Sequence, residues 1–189
     1  MSLLRRYNVK YESESLNIKN NIMKIYNHVN KSFPDDEIQH LVLSGSSALF
    51  MYIHALKYND LFDKLEEPYD IDLLIVLNSI KTKIKPHFNI FYIGDYQKIN
   101  EYEKSVTFKN KWTSDKINEF KLTYVFSSGI HYNLVNNLNL IKLEELLLFY
   151  QERAEKNKIK IEIIQEIIKR LQTSPKKVQL SNLAKLSSI

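Results

Sequence analysis

Two carboxylates stand one residue apart in Tyr69-Asp70-Ile71-Asp72-Leu73-Leu74-Ile75-Val76. The surrounding run is apolar and reads as a buried strand. Side chains alternate faces on a strand, so Asp70 and Asp72 point the same way. An apolar strand has no structural need for two like charges on one face. A divalent cation between them lets both stay ionised. Upstream, Leu41-Val42-Leu43 reads as a short buried strand, and Ser44-Gly45-Ser46-Ser47 as the turn that opens the next helix. Glycine allows close backbone approach there, and free N–H groups at a helix N-terminus favour an anion. Ser46 and Ser47 add hydroxyls beside it.

The elements that must position these groups follow from periodicity. Apolar residues at 18, 22, 25, 26, 29 and 33 predict a helix over about 15–31. Ala48 to Leu56 is a second helix, with Leu49, Ile53 and Leu56 on one face. Asn59 to Pro68 is an acidic, partly helical connector, and Asp70 to Leu77 is the carboxylate strand. Asn89 to Ile93 reads as a strand closed by Gly94-Asp95. Ser105–Phe108 and Phe120–Phe126 read as strands of a hairpin across a polar loop. From Ile141 the pattern turns helical, with one stripe of Leu143, Leu146, Leu147 and Tyr150 and another of Ile163, Ile164, Ile167, Ile168 and Leu171. Thr173-Ser174-Pro175 ends it, and a short helix over 178–186 is the last element. The expected fold is α+β: a mixed sheet with helices on one side, in a domain over 1–138, followed by a helical C-terminal part over 139–189.

The pairing of a Gly-Ser turn with a downstream Asp-x-Asp strand resembles the nucleotidyltransferase superfamily, which includes poly(A) polymerases, CCA-adding enzymes, polymerase-beta-like proteins and nucleotidyltransferase toxins. Gly45-Ser46 matches the first element and Asp70-Ile71-Asp72-Leu73 the second. Ser47-Ala48-Leu49 is similar to the helix start of the toxin-like branch. The match covers roughly residues 40–80. It implies magnesium (or manganese) held by Asp70 and Asp72, ATP or another NTP cradled by Gly45, Ser46 and Ser47, and transfer of a nucleoside monophosphate to a hydroxyl. That hydroxyl belongs to an RNA 3′ end, a small molecule or a protein.

The superfamily usually has a third acid on a neighbouring strand. Phe120–Val125 carries Lys121 and Thr123 where it is expected. Glu119 is the first candidate, with Glu103 and Asp115 behind it. With no third acid, Lys121 would pair with Asp70 or Asp72. The chain would then be a degenerate member that binds a nucleotide or a partner without transfer.

Other side chains carry weaker signals. Lys81, Lys83 and Lys85, and Lys156, Lys158 and Lys160, form either phosphate-contacting patches or solvated faces. The resemblance makes Arg153 and Lys158, on the helical part, minor candidates toward the nucleotide. Trp112 either stacks on a base or plugs the hairpin. The five histidines are scattered; His54 reads as a packing residue and His131 as a loop residue.

Composition bounds the rest. Apolar residues make up 44% of 189, with few Gly and Pro, so an ordered core is expected. The absence of cysteine excludes disulfides and thiolate zinc sites. No segment reads as a membrane span or signal peptide, so a cytoplasmic location is the expectation. A net charge of +5 favours nucleic-acid or nucleotide partners modestly. Oligomeric state is not legible.

Overall fold

A computed structural model describes residues 3–32, 38–66, 68, 70–77, 92–102, 104–112, 117–126 and 130–173. It has the expected α+β class. The order is α1 (Leu3–Ser32), β1 (Ile38–Ser44), α2 (Gly45–Leu56), a 3-10 turn (Asn59–Lys64), β2 (Asp70–Leu77), β3 (Tyr92–Ile93), β4 (Tyr96–Glu101), β5 (Ser105–Lys109), β6 (Glu119–Phe126), β7 (Tyr132–Val135), β8 (Leu138–Ile141), α3 (Leu143–Gln151) and α4 (Ala154–Thr173). The eight strands form one mixed sheet in the order β3-β4-β5-β6-β2-β1-β8-β7. β2 is central, antiparallel to β1 and parallel to β6.

Several boundaries differ from the sequence reading. Helix α2 begins at Gly45, so the Gly-Ser turn is its first turn. β4 is an additional strand. β7 and β8 form a further hairpin through Asn136 and Asn137, both at positive φ, the geometry Asn tolerates in a tight turn. β8 pairs with β1, so residues 139–141 belong to the sheet and the helical part starts at Leu143. Lys81, Lys83, Lys85, Glu103, Asp115 and the segment 178–186, expected to be a short helix, lie outside the described residues.

One face of the central strands is wholly apolar. Ile71, Leu73 and Ile75 of β2, Phe120 and Leu122 of β6, and Val106 and Phe108 of β5 are all buried. Phe108 stacks on Phe120 at 5.1 Å, and Tyr96 meets Phe120 edge-on. This face fixes register, because a slip by one residue would exchange the apolar set for the carboxylates. Helix α2 packs on β1 and β2, and α4 packs on α3, α2 and the 3-10 turn. Arg170 of α4 forks onto both oxygens of Asp60 at 2.9 and 2.6 Å, tying the helical part to that turn.

Two tyrosines lock the β7–β8 hairpin in place. Tyr26 donates to the Leu41 carbonyl of β1 at 2.7 Å and accepts from the Asn139 N–H of β8 at 3.4 Å. Tyr52 donates to the Ile141 carbonyl at 2.9 Å and accepts from Asn133 Nδ2 at 3.1 Å. Tyr52→Phe leaves a buried carbonyl and an amide unsatisfied, so a loss of about 1–3 kcal/mol is expected in urea denaturation. Unchanged stability would show that the hairpin is held by packing alone.

Candidate active site

Strand register assembles the site. In the parallel β2–β6 pair Asp70 stands beside Glu119 and Asp72 beside Lys121. The β5–β6 pair adds Lys109 beside Glu119 and Thr107 beside Lys121. In the β1–β2 pair Ser44 stands beside Asp72. Partners across a ladder share a face, so two polar rows cross the sheet. One runs Lys109–Glu119–Asp70, the other Thr107–Lys121–Asp72–Ser44. The polar rows occupy the face opposite the apolar core.

The Gly-Ser turn and the carboxylates meet directly. Gly45 has φ +65°, and a Cβ there would overlap Asp72 Oδ2 and lie 3.2 Å from Asp72 Cβ and Cγ. Only glycine lets the backbone pass this carboxylate at this φ. The Ser47 hydroxyl, fully buried, donates to the Asp70 carbonyl at 2.8 Å. It staples α2 to β2, so its hydroxyl sets the position of Asp70 instead of facing a ligand. Ser44 makes no side-chain cap bond, and the N–H groups of the first turn have no intrahelical partner.

Burial, and after it the charge of Asp70, pushes the Asp72 carboxyl up to about 6, against the opposing charges of Lys121 and Lys160. A carboxylate so placed gains from any cation that arrives.

Sequence reasoning placed Tyr150 in the core stripe of α3. Its ring is core, at 4% exposed, but its hydroxyl forms no hydrogen bond among the described residues. Burial raises it to about 12, with Asp72 and Asp70 adding to the rise and the nearby Ser46 hydroxyl opposing it. Lys160 Nζ lies 5.2 Å from the Tyr150 ring centre. α3 and α4 thus bring a buried hydroxyl and an ammonium to the carboxylates. The Lys156–Lys158–Lys160 run was legible, but not which member faces inward. A helix-period reading of Tyr150 sees its ring and is blind to its hydroxyl.

Glu119 lies in the Asp70 row, yet its Oε2 is 4.0 Å from Lys109 Nζ. Among the described residues no three acidic or imidazole side chains group closely enough to hold a metal ion. Asp70 and Asp72 offer two hard oxygen donors on one face, which suits magnesium when substrate oxygens complete the shell. His54 is half-buried on α2 near Phe50. His131 pairs with Glu145 at the start of α3. Among the described residues no helix is long and apolar enough to cross a membrane.

The chain matches no protein-family model and no curated protein sequence. Among solved structures it is similar to the Megavirus polyadenylate synthase, at 14% identity and a TM-score of 0.43, over 90% of this chain. It spans 34% of the length of that protein. At that level the likeness carries no argument, and the α+β assignment rests on the topology described above.

Proposed function

We infer that the chain is a nucleotidyltransferase-like enzyme that moves a nucleoside monophosphate from an NTP to a hydroxyl acceptor. The observation that carries this reading is the contact between Gly45 at the head of α2 and Asp72 on β2, with Asp70 on the same face. The contact places an anion-favouring helix start against a cation-favouring acid pair. The residues for the cation are Asp70 and Asp72, and a magnesium ion bound there would supply charge stabilisation at the transferring phosphate.

The chain's own groups take the other roles. Backbone N–H groups at 45–47 and the Ser46 hydroxyl bind phosphate oxygens. Lys160 and the Tyr150 hydroxyl face the same space from the helical part and are suited to phosphate or ribose oxygens. The acceptor oxygen bonds to the α-phosphorus, the bond from that phosphorus to the departing pyrophosphate breaks, and the acceptor proton passes to a neighbouring carboxylate or to water. Glu119, next to Asp70 in the row, is the carboxylate available for that proton.

The test is incorporation of labelled NTP by purified protein, with magnesium and total RNA, compared with the Asp70→Asn/Asp72→Asn variant. Equal incorporation by the variant would remove the acids from the mechanism. Lys121 beside Asp72, where a third acid is expected, favours a second reading, nucleotide binding without transfer. Calorimetry separates the two, because binding indifferent to magnesium belongs to the second.

A further inference from the structure

The turn between β5 and β6 carries the most exposed large apolar side chain among the described residues. Trp112 is 91% exposed. Tryptophan is a large apolar body, and leaving one in water is unfavourable unless something covers it. Its backbone is anchored. Trp112 N–H donates to Asn110 Oδ1 at 2.8 Å, and Asn110 N–H donates to the Asn118 carbonyl at 2.8 Å. Asn110 and Ile117 are buried on either side. The indole therefore stands out from an anchored backbone at Asn110–Trp112 and does not plug the hairpin.

The position of this turn gives it a meaning. Lys109 stands beside Glu119, which stands beside Asp70, so the β5 end lies two strand spacings, roughly 10 Å, from the acid pair. Lys109 is half-exposed and Lys111 exposed. An aromatic platform interleaved with cations is the combination that single strands of nucleic acid use, bases stacking while phosphates meet lysines. A duplex keeps its base faces stacked inside and offers none to the indole.

We propose that the acceptor is a single-stranded nucleic acid seated on this turn, one base stacked on Trp112 and phosphates against Lys109 and Lys111, its terminal hydroxyl directed to the Asp70–Asp72 row. This deepens the nucleotidyltransferase reading and depends on it for the use of the strand, while the binding stands on the turn alone.

Trp112 is the chain's single tryptophan, so its emission reports contact directly. The probes are end-labelled 12-nucleotide oligo(U) and oligo(dT), without NTP and with chelator. Either oligonucleotide is expected to bind at low salt and quench Trp112, the tighter one naming the sugar preferred. Trp112→Ala is expected to bind roughly 5- to 100-fold more weakly, with Trp112→Phe recovering part of the loss. Lys111→Ala is expected to flatten the salt dependence by about 0.7 in log–log slope. No binding, binding without quenching, unchanged affinity in Trp112→Ala, or equal affinity for a duplex of that length would each overturn the proposal. Asp72→Asn protein keeps binding and quenching even if it transfers nothing. Quenching with no transfer by the native chain would sink the enzyme reading, and with it the strand's use as acceptor, and leave the binding at Trp112 standing. Transfer to RNA unaffected by Trp112→Ala would sink this proposal alone.

Discussion

Asp72→Asn is expected to stabilise the metal-free protein while removing the proposed transfer activity. In the folded chain the Asp72 carboxyl is raised to about 6 by burial and by Asp70; unfolded, it titrates near 3.9. The folded state therefore holds the proton more tightly. Below about pH 4 both states are protonated and Asp72 has no net effect. As pH rises from about 4 to 6 the ionised carboxylate increasingly opposes folding, and above 6 the opposition is complete. The gap corresponds to roughly 1–3 kcal/mol once partial solvent access is allowed for. The asparagine variant escapes it. Its advantage should be largest near pH 7 and vanish near pH 4, read as urea midpoints in chelator. Saturating magnesium should stabilise the native protein and leave the variant unmoved, as expected for a ligand that binds only the folded acid pair. Activity should fall by about a thousandfold, the scale of a lost charge clamp. A variant less stable than the native chain at pH 7 in chelator would show that Asp72 is not under strain from its surroundings.

Gly45→Ala carries the second large effect, by geometry alone. The added Cβ would overlap Asp72 Oδ2, and φ +65° costs a non-glycine residue about 1–2 kcal/mol on its own. The short Asp72 side chain is fixed to a central strand, so the carboxylate or the helix start must move. A displacement of about 1 Å at a reacting centre costs on the order of a hundredfold in rate. The expected pattern is a stability loss of a few kcal/mol and a larger loss of transfer at temperatures where the variant is folded. Full activity in a folded Gly45→Ala protein would separate the turn from the acids and remove the central observation of the proposed function.

The site is partly legible in the sequence. The Asp70–Asp72 spacing, the apolar run around it and the Gly-Ser turn are local signals, and β2 has the bounds the alternation gives, Asp70 to Leu77. The β5–β6 hairpin was legible from β-rich segments on either side of a polar loop. β7 and β8 were readable in principle, since Asn136-Asn137 between short apolar alternations is a hairpin signal. Four-residue strands were overridden by the helical pattern that follows them.

The sequence alone determined the chemistry available: two acids on one face, a glycine at a helix start, and one tryptophan among lysines. Those follow from residue type and from periods of 2 and 3.6, which are properties of neighbours in the chain. Tertiary structure decided which groups meet. The parallel β2–β6 register set Glu119 beside Asp70 and Lys121 beside Asp72, and α3 and α4 brought the Tyr150 hydroxyl and Lys160 to the carboxylates from some 80 to 90 residues away in sequence. Register and helix docking arise from burying apolar surface over the whole sheet, a sum over distant residues that no local window contains.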